Sequence, residues 1–273
     1  MSGAGSDQKP DPKPDPKPDP WARFRQATRA RIGLGRSGDA LPTTALLEFQ
    51  LAHARARDAV HSAVDFDRLA ADLAPHPSLR VHSAAVDRDI YLRRPDLGRS
   101  LDPAGAAALP AGDWDLVFVI ADGLSAAAVQ VNAAPLVHAC RARLPQSWRI
   151  GPVVLAEQAR VALGDAVGER LGARLLALLV GERPGLSAAE SLGVYLTWDP
   201  KPGTPDSERN CISNIHAGGL PIGAAADKLC WLANEAARLK LTGVCLKEDA
   251  PSLPGPDNEK TKQGPGLPGL ERA

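Results

Sequence analysis

The most constraining feature of this sequence is the apolar run Leu175–Val180, which stops at a charged turn over residues 181–185 (GERPG). A short apolar run bounded by turn-forming residues is typical of a parallel strand that is buried on both faces. Ligands of open α/β sheets bind in the crevice outside the carboxyl ends of such strands. We therefore expect the residues that follow Val180 to border a crevice.

Predicted strands and helices alternate on both sides of this run. Further buried strands are predicted at 116–121, 153–156 and 194–198, and helices are predicted from Ser125 to about 142, from Gly164 to about 171 and over 222–239. Shorter strands are expected earlier, at 79–82 and 89–92. Strands that alternate with helices indicate an α/β fold with a mainly parallel, Rossmann-like sheet flanked by helices and joined by right-handed crossovers.

The two ends of the chain differ in composition from the rest. Residues 1–20 are of low complexity and alternate proline with lysine and aspartate from Lys9 to Pro20, and residues 249–273 are rich in proline and glycine. Proline at every second position removes backbone donors and favours an extended chain, and neither end carries enough apolar residues for a core. We predict two disordered tails, an amino-terminal helical subdomain over 21–78 and a Rossmann-like domain over 79–248.

Charge and composition argue against several classes of function. Lysine and arginine total 32, aspartate and glutamate also total 32, and aromatic residues make up 4% of the chain, so no nucleic-acid surface is indicated. No apolar run approaches the length that crosses a bilayer, and the amino terminus has no signal-peptide pattern. The 4 cysteines lack C-x-x-C spacing and fit a reducing compartment. We expect a cytoplasmic protein that binds neither nucleic acid nor a membrane.

Residues 33–38 match the dinucleotide-binding pattern G-x-G-x-x-G. That pattern binds a pyrophosphate when a strand precedes it and a helix begins within it. Here an arginine-rich helix is predicted from Trp21 to Ile32, and Pro42 separates the pattern from the next helix. A turn between two helices is therefore the preferred interpretation. An oxidoreductase that binds NAD(P) at this turn is an alternative function.

The common catalytic motifs are absent from the sequence: there is no phosphate loop, no H-E-x-x-H zinc helix and no G-x-S-x-G nucleophile elbow. Residues 122–125 (DGLS) are explained as a strand-end turn followed by a helix cap at Ser125. Glu182 is either a ligand contact in a partly dry cleft or one half of a structural ion pair. Residues 210–215 are predicted to form a loop rich in asparagine and serine, in which Cys211 is either a nucleophile with His216 as its base or a buried small apolar group.

Four segments, taken in order along the chain, resemble a known family. They are RPDLGR at 94–99, ADGLSA at 121–126, GERPGL at 181–186 and NCISNI at 210–215, and the upstream segments ARIGLGR at 30–36 and RARDAV at 55–60 also fit. Together they resemble the small subunit of ethanolamine ammonia-lyase, and the resemblance covers about residues 21–248. The specificity of the resemblance comes from the order of the matches, since no single segment is decisive.

The resemblance implies an adenosylcobalamin-dependent lyase that converts ethanolamine to acetaldehyde and ammonia. In this family a large (β/α)8 subunit holds the substrate and the catalytic residues, and a Rossmann-like small subunit covers the cobalamin at the interface between the subunits. The family's small-subunit cobalamin contacts correspond here to Val161, Glu182 and Cys211. Ala159 departs from the glycine that is usual shortly before the first of them. Because the sequence lacks D-x-H-x-x-G, the resemblance implies that the cofactor keeps its own base as axial ligand.

Three further questions stay open at this level. A non-catalytic scaffold that assembles through its tails and arginine-rich loops is a second alternative function. The segment from Arg93 to Leu101 is either an ordinary charged loop or a contact for a partner's carboxylates. Some family members carry an amino-terminal amphipathic helix that targets a bacterial microcompartment. The proline-rich residues 1–20 do not match such a helix, so both the open cytoplasm and a microcompartment remain as locations.

Overall fold

The computed structural model describes residues 19–28 and 30–247 of the chain. The predicted disordered tails lie outside the described residues, apart from Asp19 and Pro20. Contacts divide the chain into two compact units, one holding the described residues up to Ala54 and the other those from Arg55 onward. The predicted domain boundaries at residues 78 and 248 remain predictions.

The first unit contains helix α1 (Ala22–Ala27) and the first part of helix α2 (Thr43–His61). The helix predicted to reach Ile32 ends at Ala27, because Thr28 adopts an extended conformation. Residues 33–38 lie between α1 and α2 without a helix or a strand, and the chain turns at residues 38–39, inside a bridge between Ser37 and Ala40. The Arg25 guanidinium donates a 2.6 Å hydrogen bond to the carbonyl of Gly33. In the described residues this turn therefore follows a helix, whereas a dinucleotide fingerprint follows a strand.

The second unit is built on a mixed sheet that has six strands among the described residues. They are β1 (Ser78–His82), β2 (Trp114–Ala121), β3 (Val153–Glu157), β4 (Ala173–Gly181), β5 (Leu192–Trp198) and β6 (Arg209–Ile215). The order across the sheet is β1-β3-β2-β4-β5-β6. The first four strands in this order are parallel, whereas β5 and β6 are each antiparallel to their neighbours.

The predicted α/β class is confirmed, and the predicted mainly parallel, Rossmann-like sheet is corrected to a mixed one. A parallel connection needs a crossover of a dozen or more residues, usually with a helix. Helices α6 (Ala126–Arg141) and α7 (Leu163–Leu171) provide such crossovers before β3 and β4. Residues 182–191 and 199–208 contain no α-helix, so the chain after β4 and after β5 returns in the opposite direction.

The strand predicted at 89–92 is wrong. Helix α4 (Arg88–Arg93) occupies these residues, because the carboxylate of Asp87 caps it by accepting a 2.8 Å hydrogen bond from the amide of Ile90. The apolar residues of this segment therefore follow a helical spacing, and Tyr91 is the one that is buried. Among the described residues, the remaining α-helices are α3 (Phe66–Asp72), α5 (Pro103–Ala108) and α8 (Ile222–Leu239).

The core lies on both faces of the sheet. Helices α6 and α8 cover one face, where they pack against side chains such as Phe118 and Ile120. Helix α7 covers part of the other face, where Val119 and Leu178 are buried. The connections from β2 and β4 leave toward opposite edges of the sheet, and such a switch point is where a crevice is expected from the topology. Within the described residues, no helix combines the length and the apolar character needed to cross a membrane.

Candidate functional site

The turns that follow β2 and β4 are in close contact at the crevice. The amide of Leu124 donates a 2.8 Å hydrogen bond to the carbonyl of Gly181. A Cβ atom on Gly123, which has φ +59°, would collide with that same carbonyl oxygen, and one on Gly181 would lie 2.8 Å from the carbonyl oxygen of Asp122. Only glycine at both positions allows this approach, which places Glu182 directly beside the turn that follows β2.

Glu182 is half-buried and joins the ends of three strands. Its Oε2 atom accepts hydrogen bonds from the Ser191 hydroxyl, just before β5, and from the Asn214 amide in β6, the latter at 3.2 Å. Its own amide donates to the carbonyl of Ser191 at 3.0 Å. No arginine among the described residues pairs with it, so the structural ion pair considered from the sequence is not formed there. Its Oε1 atom accepts no hydrogen bond from the described residues.

Cys211 lies on β6, where it pairs across the sheet with Tyr195 of β5. The sequence predicted a loop at 210–215, and this prediction is wrong because these residues pair with β5 as an edge strand. Cys211 is exposed, and Tyr195 is half-buried. Cys211 is therefore an exposed strand residue, whereas the sequence predicted a loop and offered burial as one alternative.

Electrostatics argue against Cys211 as a nucleophile. Partial desolvation raises the pKa of its thiol, and the charge of Glu182 raises it further, although a hydrogen bond with Tyr195 opposes the change. The same surroundings raise the pKa of Tyr195 to about 12. His216 bonds with Asn214 through Nε2 at 2.8 Å and accepts from the Gly218 amide through Nδ1 at 3.2 Å. Both ring nitrogens are thus engaged locally, and the thiol stays protonated at neutral pH.

Val161 lies in the turn between β3 and α7. It packs against the apolar cluster on the α7 face of the sheet, and Tyr195 packs against the same cluster. The structure thus brings Glu182, Tyr195 and Cys211 together and places Val161 on the same face of the sheet. Sequence reasoning missed Tyr195. The two-residue alternation of β5 puts it on one face with Thr197, and this alternation was the available signal.

Two other sequence features have structural explanations. The Ser125 hydroxyl accepts a 3.2 Å hydrogen bond from the Ala128 amide, so the predicted helix cap is confirmed, and it also donates to the carbonyl of Ala189 at 2.6 Å. In the arginine-rich segment, Arg93 pairs with Asp89, and Arg94 pairs with the adjacent Asp96 at 2.7 Å. These are exposed local pairs of the kind found in ordinary charged loops.

The structure is thus that of an α/β protein in which a carboxylate fixed by Ser191 and Asn214 lies near an exposed thiol whose pKa is raised. Residues 18–247 match the model of a family described as ethanolamine ammonia-lyase light chain. The chain therefore belongs to the family of ethanolamine ammonia-lyase small subunits, which are subunits of a C–N lyase.

Individual relatives agree with this family. The chain is 50% identical over 254 residues to the ethanolamine ammonia-lyase small subunit of Ralstonia nicotianae, covering 90% of this chain and 94% of the relative. It is 50% identical over 239 residues to the small subunit of Pseudomonas fluorescens Pf0-1, covering 84% and 87% of the two chains. The small subunit of Pseudomonas aeruginosa PAO1 is 49% identical over 239 residues, with 84% and 88% covered.

Proposed function

We propose that this chain helps to bind adenosylcobalamin as the small subunit of an ethanolamine ammonia-lyase, at an interface with a large subunit that holds the substrate and the catalytic residues. Val161, Glu182 and Cys211 are the proposed contacts with the cofactor. The designation "small subunit" of the relatives implies a larger partner chain, and the family relation extends this expectation to the present chain.

The Oε1 atom of Glu182 is the observation that carries the proposal. Oε2 is held by Ser191 and Asn214, so the carboxylate has a fixed orientation while Oε1 has no donor among the described residues. A corrin ring carries amide side chains whose N–H groups need acceptors. Binding to an acceptor that is already oriented avoids part of the entropic cost of ordering it. The residues present therefore suit the periphery of a corrinoid.

The surroundings of Glu182 supply the apolar part of such a site. Val161 and Tyr195 are half-buried on one apolar cluster, and each leaves part of its side chain accessible. Cys211 is exposed beside Tyr195. Apolar contacts with a few placed polar groups are the usual composition of cofactor sites.

Adenosylcobalamin supplies the radical chemistry of the reaction when it is bound, and the protein supplies binding, orientation and exclusion of water. In this chain Glu182 orients the cofactor by accepting hydrogen bonds, while Val161 and Tyr195 remove water from its apolar edge. The protonated thiol of Cys211 adds a polarizable contact, not a nucleophile. Ethanolamine and the groups that act on it belong to the large subunit in this proposal.

The test is equilibrium binding of cyanocobalamin to the complex reconstituted with a family large subunit. Glu182→Gln keeps the shape of the side chain, but its amide cannot accept hydrogen bonds at both oxygen positions. Loss of a hydrogen bond to a charged acceptor costs about 1.5–3 kcal/mol, so we expect the dissociation constant to rise about 10- to 100-fold. Glu190→Gln, an exposed acid in the same loop, is the matched control and should leave the affinity unchanged.

Each other outcome counts against the proposal. A correctly assembled wild-type complex that binds no corrinoid would favour the scaffold alternative. A folded Glu182→Gln complex with wild-type affinity would remove Glu182 from the site. Binding of NAD(P) to the small subunit alone, abolished by substitution of residues 33–38, would favour the oxidoreductase alternative.

A further inference from the structure

Asp122 has a buried carboxylate that neither the helix cap nor the proposed cofactor contacts use. It follows β2 directly, and the residue is 5% exposed. The carboxylate accepts hydrogen bonds from the backbone amides of Gly123 at 2.9 Å, Gln158 at 3.0 Å and Ala159 at 3.0 Å. The last two belong to the chain segment that leaves β3, so Asp122 holds the beginning of the turn that contains Val161.

The turn held by Asp122 is strained at its first residue. Gln158 has φ +51°, in the left-handed region that costs a non-glycine residue about 1–2 kcal/mol. Such a conformation persists only where its surroundings over-determine it. The Arg160 amide donates to the carbonyl of Gly98 at 2.8 Å, and the Tyr91 hydroxyl donates to the carbonyl of Ala159 at 3.3 Å. Every residue from Gln158 to Arg160 is thus bound to another part of the chain.

Two arginines complete the support around Asp122. The Arg88 guanidinium lies 3.4 Å from the Asp122 carboxylate, and its Nε donates to the carbonyl of Val60 at 2.7 Å. Arg88 and Arg160 both lie over the ring of the buried Tyr91, at 4.8 and 4.6 Å from its centroid. Burial raises the pKa of Asp122, whereas the amide donors and Arg88 lower it. A buried carboxylate is kept only where hydrogen bonds and a counter-charge compensate it, and here three backbone amides and Arg88 do so.

The backbone carbonyl of Asp122 lies close to Gly181, the residue before the proposed cofactor contact Glu182. Its carbonyl oxygen is one of the atoms that a Cβ on Gly181 would meet, at 2.8 Å, and the Gly181 carbonyl accepts from the amide of Leu124 at 2.8 Å. Glu182 follows immediately. Asp122 therefore lies between the turn that carries Val161, which its carboxylate binds, and the turn that carries Glu182, which its backbone carbonyl approaches at Gly181.

We propose that Asp122 is a positioning residue whose carboxylate sets the spacing between Val161 and Glu182 in the corrinoid site. The inference rests on the proposed function, because it assigns Asp122 a role toward the same cofactor. Asp122 does not touch the cofactor in this proposal. It acts through the backbone of residues 158–160, and its loss would let the turn relax away from the strained conformation at Gln158.

The main experiment compares Asp122→Asn with Ser125→Ala in the complex reconstituted with a large subunit, using cyanocobalamin as the probe. Asp122→Asn retains one oxygen acceptor and loses the second, so the turn is held by fewer bonds. We expect the dissociation constant to rise about tenfold, a change that corresponds to the free energy of about one hydrogen bond. Ser125→Ala removes a helix cap in the same loop and should lower thermal stability while leaving the affinity within about twofold of wild type.

A double-variant cycle with Val161→Ala tests how Asp122 acts. If Asp122 works by placing Val161, the double variant should bind within about twofold of the weaker single variant, whereas independent effects would multiply. The Michaelis constant for adenosylcobalamin should rise in Asp122→Asn, while kcat at saturating cofactor stays at the wild-type value, because the reacting atoms are untouched. A merely structural role would lower the melting temperature without raising the Michaelis constant at unchanged kcat.

The outcomes separate this inference from the proposed function. No corrinoid binding by the wild-type complex refutes the proposed function. Wild-type binding that Val161→Ala weakens and Asp122→Asn does not overturns the positioning role alone. Where Asp122→Asn does not fold, Tyr91→Phe decides, because it removes the hydrogen bond to Ala159 in the same turn without changing a charge. Unchanged affinity in a folded Tyr91→Phe complex then overturns the inference, and weaker binding supports it.

Discussion

The buried ion pair between Arg209 of β6 and Asp165 of α7 allows the sharpest prediction about stability. The two side chains are 2% and 1% exposed. The guanidinium donates to both carboxylate oxygens, at 2.6 and 2.7 Å. Its remaining donors reach the Thr197 hydroxyl at 3.0 Å, the Thr204 carbonyl at 2.7 Å and the Asp206 carboxylate at 3.4 Å. Every N–H group of the guanidinium therefore has a partner.

Arg209→Met removes the cation and leaves the Asp165 carboxylate buried without its counter-charge. Removing one partner of a buried pair costs about 3–5 kcal/mol of the free energy of unfolding. For a protein of this size, that corresponds to a fall of about 6–20 °C in the melting temperature. Replacing both residues, as Asp165→Leu with Arg209→Met, should recover most of the loss, because no uncompensated charge remains.

The same variant should depend on pH. Burial already raises the pKa of Asp165, and Arg209 opposes this effect. Without Arg209 the folded protein favours the protonated carboxyl even more strongly, so the folded state binds a proton that the unfolded state releases above about pH 4. The penalty in Arg209→Met should therefore grow as pH rises from the ordinary carboxyl pKa through the raised folded value, and it should be smallest in mild acid.

Urea and thermal unfolding of the isolated small subunit measure both effects, followed by circular dichroism at several pH values. Arg238→Met is the control, because Arg238 is 65% exposed in its pair with Glu235, and such pairs contribute about 0–1 kcal/mol. A loss in Arg209→Met no larger than in this control would refute the reasoning. A penalty that decreases as pH rises would contradict the assignment to the buried carboxylate.

Two further predictions concern Cys211 and Lys240. Partial desolvation and the Glu182 charge raise the pKa of Cys211, so its alkylation by iodoacetamide in the isolated subunit should be slow at neutral pH and accelerate above about pH 9. Glu182→Gln should accelerate the alkylation at any given pH. Mass spectrometry of the alkylated protein at several pH values checks this, and identical rates in both proteins would contradict it. Lys240 caps the end of α8 with φ +56°, in the left-handed region. Lys240→Gly should therefore be more stable than Lys240→Ala by about 1 kcal/mol in urea unfolding. Equal stabilities of the two variants would show that the left-handed conformation is not strained.

Predictions from local patterns agree with the structure where burial is continuous. The apolar runs at 116–121 and 175–180 lie within β2 and β4, and the helix predicted at 222–239 has the bounds of α8. The pattern failed where one cap or one long-range pairing decided the outcome. Asp87 turned 89–92 into a helix, and pairing with β5 turned 210–215 into a strand. An apolar run of a few residues fits a helix or a strand equally well.

Some residues of the candidate site could likewise be predicted from the sequence, and others could not. Glu182 could be picked out from the sequence alone, because a charged turn after a buried strand marks the edge of a sheet where ligands bind. The resemblance to a family supplied Val161 and the role of Cys211, which spacing and composition did not indicate. Tyr195 and Asp122 acquired their places only in the structure, through pairing with β6 and through bonds to the segment after β3.

The sequence by itself determined the α/β class, the position of most strands and the turn at Glu182, because apolar runs and turn residues act on their immediate neighbours. Only the tertiary structure decided the antiparallel edge of the sheet and the contacts that hold the site. Arg209 and Asp165 are 44 residues apart, and Asp122 and Gln158 are 36 apart. Such pairs form because the order of strands brings distant segments together, and no local pattern contains that order.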